Sequence, residues 1–518
     1  MFSRKMKRMK RYDICILLFA VWMTISGCDV NSPSKGSPEV SPTPAVTEYP
    51  ADTSQTGAEK PIAEPSEAPR TEIKAESVRD MAQLVFDDCE PSSLLAYVNR
   101  HMGRVSVSEA DDMLLILESV QKAWLDYYLN IGTNAGQYER SEWVQELTDN
   151  GFRLEMVDNR EVPVMDYMIY EKWSDQISEW FRDYITIIKT ENDAPAVRAG
   201  QLSISKEELE ERLISASVYI ENYPLSVRVN EVIDLYDSYL YAYLYGYERD
   251  PVINFASNTI SREYFNRYRE FAQNNPELKA AALVFEYASM IEKGNFMLTE
   301  EIRKFLENIF SELDDKRIVV RNDIGRKILM ERLQKLLPEK TGFVWKCFGV
   351  GGYAHTACLT GIHTEDGNPV YTITGAVEDP YAEQTADEQD LLELQYRIQN
   401  YVLFQIKTAP TMADSDFDEL EIIRYPLITG HRWYQYPEAD GIGSVGIETE
   451  IIGVVKENGQ YYYEVESRDP ATGDYERRLL QAGKGTVAFT KLRANGETIP
   501  YEVGYVIDEE QSGYTETY

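Results

Sequence analysis

The sequence predicts an α+β, multidomain protein in which a helical array or bundle is followed by a mainly antiparallel β region. Between residues 72 and 338, apolar residues recur at three- and four-residue spacing, which is typical of amphipathic helices. Beyond residue 342, β-branched and aromatic residues alternate with Gly clusters, which is typical of strands joined by tight turns. The 43% hydrophobic content is sufficient to form packed cores.

Residues 1–27 predict a signal peptide. Six basic side chains lie within residues 1–13, and residues 14–25, "ICILLFAVWMTI", are apolar except for Thr24. Twelve helical residues rise about 18 Å, which is too short for the roughly 30 Å hydrocarbon core of a bilayer. A basic stretch, a short apolar stretch and the small pair Ser26-Gly27 together favour a secretory signal.

The segment Ile25-Ser26-Gly27-Cys28 resembles the lipobox of bacterial lipoproteins. The resemblance implies that a diacylglyceryl group modifies Cys28 and that signal peptidase II cleaves just before it. Two acyl chains hold a protein on a bilayer where one myristoyl chain would not. The expected location is therefore the extracytoplasmic face of the cell membrane, with a lipid as the anchor. The alternative is an ordinary secretory signal with an incidental cysteine.

Residues 28–71 predict a disordered tether. Eight prolines lie within residues 29–70, and Ser, Thr, Ala and Glu fill most other positions. Such a composition cannot bury enough apolar surface to offset its chain entropy. The whole chain has 87 Asp and Glu against 52 Lys and Arg, a net charge of −35. This charge excludes nucleic acid as a partner and excludes electrostatic adsorption on anionic lipid.

Residues 72–338 predict the helical domain. Two helices open with capping boxes, Ser106 with Glu109 and Ser205 with Glu208. Residues 151–170 break the helical pattern and predict a short hairpin or an extended excursion. The tyrosines of one predicted helix are interpreted as core rather than as a carbohydrate-stacking surface: Tyr236, Tyr239, Tyr241, Tyr243 and Tyr245.

Two segments of the helical domain share the same sequence pattern. A helix end, a proline and a new apolar helix follow in the same order around Pro224 and Pro276, 52 residues apart. The stretch "SVYIENYPLSVRVNEVIDLY" resembles tetratricopeptide-like helical repeats, although their usual period is 34 residues. The resemblance implies a repeat-like array whose concave face binds a partner.

Residues 339–418 predict a mixed β region with one helix over residues 387–404, "DEQDLLELQYRIQNYVLF". Residues 419–518 predict a small C-terminal β module. Its Tyr425-Pro426-Leu427, Gly430 and Trp433, followed by a meander that ends "GKGTV", resemble small β modules at the end of secreted bacterial lipoproteins. That resemblance implies no chemistry.

The segment "GIGSVG", residues 441–446, matches the dinucleotide-binding fingerprint. The fingerprint requires a helix after its glycines, whose N-terminus holds the pyrophosphate. Here the next residues, "IETEIIGVV", alternate as a strand. The segment is therefore predicted to be a loop, and no cofactor is expected.

Four metal-binding residue types lie close together in the β region: Cys347, His355, Cys358 and His363. Their spacing fits no familiar zinc finger or ribbon. If residues 353–363 form one strand, the two histidines share a face and Cys358 points the other way. No metal is predicted, and hairpin packing is the expected role. A Cys347–Cys358 disulfide stays open as an alternative, and Cys89 is expected to be a small apolar residue of a buried helix.

The sequence supports no catalytic assignment. It contains no HExxH, no GxSxG and no P-loop pattern. The acidic pairs Asp87-Asp88, Asp111-Asp112 and Asp314-Asp315 are expected to be solvated, and sequence alone does not give the carboxylate separation that a glycosidase needs.

The favoured function is therefore non-enzymatic binding or scaffolding in the bacterial cell envelope, through the helical domain, with an envelope protein or glycan as partner. One alternative is an enzyme, a lyase or hydrolase, that acts on envelope polysaccharide and uses a His, Tyr and Arg site near His101. Another is the solute-binding lipoprotein of a transporter, which requires strands and helices that alternate.

Overall fold

The structure of the protein, a computed structural model, is α+β as predicted, with helices followed by a large antiparallel sheet. The helices and the sheet belong to one compact unit, Ala75–Tyr518. The structure describes residues 76–132, 140–157, 159–247, 249–318, 320, 322–349, 354–377, 391–408, 415, 417–439, 443–493 and 501–514. Cys28 and the predicted tether lie outside these residues.

Twelve α-helices lie in the described ranges, and each places an apolar face against its neighbours. They are α1 Glu76–Phe86, α2 Pro91–His101, α3 Val107–Gly132, α4 Arg140–Asp149, α5 Met168–Glu171, α6 Glu179–Asp193, α7 Lys206–Asn222, α8 Val229–Leu244, α9 Arg262–Asn274, α10 Lys279–Lys293, α11 Glu300–Asp315 and α12 Ile324–Gln334.

The first predicted capping box is complete, and the second has its N-cap bond. Glu109 N donates to Ser106 Oγ (3.3 Å), and Ser106 N donates back to Glu109 Oε2 (2.9 Å). Ser205 is the N-cap of α7, and its Oγ accepts from Glu208 N at 3.1 Å. The local sequence therefore determines where α3 and α7 begin.

The hairpin predicted within residues 151–170 is also present, as β1 Phe152–Val157 paired with β2 Arg160–Met165. Three smaller hairpins join helices of this half. Their strands are β3 Val197–Arg198, β4 Gln201–Leu202, β5 Gly246–Tyr247, β6 Asp250–Pro251, β7 Ile253–Asn254 and β8 Thr259–Ile260.

The large sheet has the strand order β14-β13-β12-β11-β10-β9-β22-β21-β20-β19-β18-β15, with β23 beside β9. Its strand pairs are antiparallel. The C-terminal strands are β9 Phe343–Gly349, β10 His355–Glu365, β11 Asn368–Val377, β12 Leu391–Gln399, β13 Val402–Lys407, β14 Glu419–Arg424, β15 Arg432–Gln435, β16 Glu438–Ala439, β17 Gly443–Ser444, β18 Ile447–Glu457, β19 Gln460–Arg468, β20 Tyr475–Gln481, β21 Gly485–Arg493, β22 Tyr501–Ile507 and β23 Gly513–Tyr514.

The helix predicted over residues 387–404 is wrong, because the described part of that segment forms β12 and β13. Alternate residues of β12 are buried, which is the period of a strand with one face inside the fold. Asn400 and Tyr401 both have positive φ, 47° and 66°, and close a tight hairpin turn. The apolar residues also fit a helical pattern, and the neighbouring strands select the extended form.

The two strands at the ends of this order are joined by the side chain of Gln435, and beside them Asp418 N donates to Glu438 O at 3.2 Å. Gln435 of β15 imitates a backbone strand partner, since its Oε1 accepts from Glu421 N (2.9 Å) and its Nε2 donates to Glu421 O (3.0 Å). Thr449 and Ser467 extend the network, with Gln435 Nε2 2.7 Å from Thr449 Oγ1 and Thr449 Oγ1 3.0 Å from Ser467 Oγ. The sheet is therefore nearly closed.

Helices α3 and α12 join the helical half to this sheet. Near the end of α3, Asp126 pairs with Arg424 of β14 at 3.4 Å, and the ring of Tyr127 lies 5.7 Å from that of His431. Arg332 of α12 is buried and donates both to Asp88, at the end of α1, and to Tyr463 OH of β19. The sheet therefore shares its core with the helices.

Candidate functional site

A groove of about 1020 Å³ lies between α2 and α4, and we call it the α2–α4 groove. Three apolar lining residues, Leu95, Ala96 and Ile169, are called its floor, and most of the other lining residues are polar or acidic. The lining residues are Glu90, Ser92, Leu95, Ala96, Asn99, Ser141, Glu142, Gln145, Glu146, Thr148, Asp149, Asn150, Ile169 and Lys172. An apolar floor with many hydrogen-bonding groups suits a polar ligand that has some carbon surface.

Asn150 holds the two sides of the groove together. Its Oδ1 accepts from Ser92 N at the start of α2 (2.9 Å), and its Nδ2 donates to Glu146 O of α4 (3.0 Å). Its own carbonyl accepts from Gln121 Nε2 of α3 (2.9 Å), and Tyr170 OH donates to Gln121 Oε1 (2.6 Å). The buried Asn150 thus fixes α2 and α4 relative to the long helix α3.

Gly151 makes this arrangement possible. Its φ of +83° is in the left-handed region, which side chains other than glycine rarely adopt. A Cβ at this position would lie 2.1 Å from Gln121 Nε2 and 3.3 Å from Leu95 Cδ1. The pair Asn150-Gly151 is therefore the turn that lets α4 lead directly into β1 beneath the groove.

The groove is predominantly acidic. Glu90, Glu142, Glu146 and Asp149 line it together with one lysine, Lys172. Burial raises the pKa of Glu146, a hydrogen bond with Tyr128 lowers it, and the negative charge of Glu90 raises it further. Burial also lowers the pKa of Lys172, whose Nζ lies 4.2 Å from the Trp173 ring.

A buried ionic network, the Glu118 cluster, lies deeper in the molecule: Glu118, Lys122, Tyr184, Arg228, Glu231 and Asp323. Glu118 is fully buried and interacts with Lys122 Nζ (3.0 Å), Tyr184 OH (2.6 Å) and Arg228 Nε (2.9 Å). Arg228 also donates to Asp323, and Lys122 pairs with Glu231 at 2.7 Å.

The charges of this cluster satisfy one another. Burial by itself would raise the pKa of Glu118, but the positive charges of Lys122 and Arg228 and a hydrogen bond from Tyr184 lower it to about 2. The glutamate is therefore ionised at any physiological pH. Its partners lie on α3, α6 and α8, so the cluster stabilises helix packing rather than presenting a reactive group.

The predicted core role is confirmed for Tyr236, Tyr239 and Tyr243, since each is at most 6% exposed. It is not confirmed for Tyr241 and Tyr245, which are only half-buried. Tyr239 OH donates to Glu191 and Tyr243 OH donates to Glu210. His101, at the end of α2, stacks on Tyr97 with ring centroids 4.2 Å apart and does not line the α2–α4 groove.

The expected solvation of the acidic pairs is wrong for two of them. Asp88 is paired with Arg332, and Asp111 is 7% exposed. Asp111 accepts from Ser178 N (3.0 Å) and Ser178 Oγ (2.5 Å), so it holds the start of α6. A carboxylate on a helix becomes buried when another chain segment supplies its donors, and the sequence does not show which segment will do so. The side chains of Asp314 and Asp315 lie outside the described residues.

The expectation that His355 and His363 share a face is also wrong. A β-bulge between Leu359 and Gly361 inserts one residue into β10 and reverses the alternation beyond it. His355 is buried beside the Tyr505 ring, at 4.7 Å, whereas His363 is exposed and lies 2.8 Å from Glu365. Cys89, Cys347 and Cys358 are free thiols. In the described part of the chain, no three His, Cys, Asp or Glu residues are arranged to hold a metal ion.

The "GIGSVG" segment, whose first two residues lie outside the described ranges, leads into β18 as predicted. Gly443-Ser444 form β17, which pairs with β16, and Gly446 precedes the eleven-residue strand. Because a strand follows the glycines, the helix N-terminus that would hold a pyrophosphate is not formed at this position.

No protein-family model matches the sequence, and no curated protein matches it significantly. One solved structure that is similar is the crystal structure of a protein from Parabacteroides distasonis ATCC 8503, provisionally named a lipoprotein. It is 10% identical, the match covers 33% of this chain and 96% of that chain, and the TM-score is 0.20. A likeness of that size carries no argument about this protein.

Proposed function

We propose that the protein is a lipid-anchored component of the bacterial cell envelope and that it binds a polar envelope ligand, a glycan, in the α2–α4 groove. The lipobox-like Ile25-Ser26-Gly27-Cys28 supports the anchor. No helix in the described ranges combines the length and the apolar character that a membrane crossing requires. The lipid at Cys28 would then hold the protein on the membrane, with the groove free to face outward.

The observation that carries the binding proposal is the composition of the groove. Hydroxyl and amide side chains, such as Ser92, Asn99 and Gln145, lie around a small apolar floor. Sugar rings present hydroxyl groups at their edges and C–H groups on their faces, which is the complementary arrangement.

Binding of soluble envelope glycan fragments to the chain without its first 28 residues tests this proposal. Isothermal titration calorimetry of Asn99→Ala and Gln145→Ala is expected to show affinity reduced at least tenfold. Glu286→Gln, an exposed substitution on α10, is the matched control and is expected to bind normally. Equal affinity for all of these proteins, or the absence of binding to the wild type, would refute the groove as the site.

A second candidate function rests on Glu90 and Glu146. Two carboxyl groups that line the same groove, one of them with a raised pKa, are the residue types that supply the acid and the nucleophile or base of glycoside hydrolysis. Under this alternative, the wild type releases reducing ends from envelope glycan and Glu146→Gln does not. If neither protein releases them while binding persists, the protein is a binder.

A further inference from the structure

The large sheet contains the same eight-residue pattern twice. Residues 338–345 and 426–433 both have the form P-x-x-T-G-x-x-W. The glycine has the same role in both copies, because Gly342 N donates to Leu359 O and Gly430 N donates to Ile451 O, each at 2.8 Å. The φ angles of the two glycines are +89° and +86°.

A second pattern follows each copy of the first. Residues 361–371 and 453–463 both have the form G-x-x-x-E-[DN]-G-x-x-x-Y. In each copy the first glycine ends a β-bulge, which separates it from Leu359 or from Ile451. Each second glycine completes a hairpin turn with the same backbone, since Asp366 and Asn458 have φ of 49° and 50° and both glycines have φ of 81°.

The strand order repeats in the same way. Strands β9 to β14 pair in sequence order, and so do β15 and β18 to β22. The two sets of six strands meet at two equivalent edges. At one edge β22 pairs with β9 through its backbone, and at the other β14 meets β15 through Gln435. The β16–β17 hairpin lies between the two patterns of the second copy.

We propose that the large sheet is an internal duplication of one six-stranded module. The first module is 338–424 and the second is 426–507. Both modules hold the end of the same helix, α12, through equivalent tyrosines. Tyr371 OH accepts from Gln334 Nε2 at 3.2 Å, and Tyr463 OH accepts from Arg332 Nη2.

Because the two modules are duplicates, each residue of one can be compared with the residue at the same position of the other. Phe343 in the first module occupies the position of His431 in the second. His431 is 0% exposed, its Nδ1 donates to Pro426 O (2.8 Å), and burial lowers its pKa to about 4. Its Nε2 has no protein partner among the described residues. Phe343 of the first module shows that an apolar ring can fill this position.

The same comparison applies to a buried ion pair. In the first module, Leu392 pairs with Gly375 and Leu394 pairs with Ile373. At the equivalent positions of the second module, Glu476 pairs with Ser467 and Arg478 pairs with Val465. All four are at most 6% exposed, and Arg478 Nη2 lies 2.9 Å from Glu476 Oε2. A buried ion pair is seldom more stable than apolar residues of similar size. The leucine pair of the first module therefore fills the same interior position without burying charges.

His431→Phe in the full chain tests the equivalence of the modules at one position. The melting temperature is expected to equal or exceed that of the wild type, since Phe is the residue of the first module. His431→Ala is the matched control and is expected to melt several degrees lower, because it leaves a cavity. A melting temperature for His431→Phe as low as that of His431→Ala would overturn the duplication.

Exchange of whole hairpins is the second test. Residues 451–465 are replaced by the sequence of residues 359–373, which has the same length, bulge and turn and carries Tyr371 to the position of Tyr463. The chimera is expected to unfold in one cooperative transition. A control with one alanine inserted into the grafted bulge shifts the register and is expected to lose that transition. The proposal requires both results, and a chimera that behaves like its control would overturn it.

Discussion

Arg228 donates through Nε to Glu118 Oε2 at 2.9 Å, across 110 positions of sequence, and both side chains are almost fully buried. The pair fixes the start of α8 against the middle of α3. Arg228 also reaches Asp323, the N-cap of α12, so one guanidinium connects three helices.

Arg228→Met is expected to lower the free energy of unfolding by about 3–5 kcal/mol, because it leaves buried carboxylates without their partner. Urea denaturation at pH 7 measures the change. Arg140→Met, which removes an exposed pair with Glu161, is the control and is expected to leave the midpoint nearly unchanged. A midpoint for Arg228→Met equal to that of the control would contradict the role of the cluster.

The Glu118 cluster also predicts a dependence of stability on pH. The pKa of Glu118 is lowered from 4.5 to about 2 in the folded state, so its contribution is fully present above about pH 4.5. The contribution is lost as the pH falls from there towards 2. The difference in free energy of unfolding between the wild type and Glu118→Gln is therefore expected to shrink over this range, and a constant difference would count against the assignment.

Asp112 has the opposite effect on the pH dependence of stability. Burial, with Asp111 and Glu109 nearby, raises its pKa from 3.8 to about 6, so the folded state binds this proton more tightly than the unfolded state. Asp112 therefore destabilises the protein increasingly as the pH rises from about 4 to 6. Asp112→Asn is expected to stabilise it at pH 7 by on the order of 1–3 kcal/mol, and not at pH 4. Asp80→Asn, on the exposed face of α1, is the control.

Gly151→Ala is expected to lower the free energy of unfolding more than Gly200→Ala, by about 1–3 kcal/mol. Both glycines have positive φ, +83° and +68°, so the backbone strain is similar. They differ in surroundings, because a Cβ at Gly151 meets Gln121 and a Cβ at Gly200 meets nothing within 4 Å. Equal losses would show that the contact with Gln121 has no importance for the groove floor.

Cys28→Ser is expected to abolish lipid labelling and to leave the precursor uncleaved by signal peptidase II. Metabolic labelling with a palmitate analogue in a bacterial host measures the first effect, and the mass of the membrane-associated protein measures the second. Cys89→Ser is the control and should be labelled like the wild type. Label on Cys28→Ser at the level of the wild type would remove the basis for the anchor.

Local signals predicted local structure well. Ser106 and Glu109 mark the start of α3 because a capping box acts within one turn, and a strand after "GIGSVG" follows from its alternation. The β12–β13 hairpin was mistaken for a helix because Leu391, Leu394, Ile398 and Tyr401 fall at helical spacing. Leu392, Leu394, Tyr396 and Ile398 alternate as a strand, and pairing with β11 and β14 selects that form.

Contacts between residues that are remote in sequence could not be predicted from local patterns. The burial of Asp88 and Asp111 depends on Arg332 and Ser178, which are remote in sequence. Asn150 gave no signal as the support of the α2–α4 groove, since Asn-Gly is equally typical of an exposed turn. The repeated P-x-x-T-G-x-x-W pattern is present in the sequence, but its spacing exceeds the 20–50 residues typical of repeat proteins.

The contact between Asp88 and Arg332 joins residues 244 positions apart, and Asp126 and Arg424 are 298 positions apart. A ribosome makes the first of each pair long before the second. Asp88 therefore gains its partner only after α12 is synthesised, and Asp126 gains its partner only after β14 is synthesised. Until then, the carboxylates of Asp88 and Asp126 lack the cations with which they pair in the folded chain.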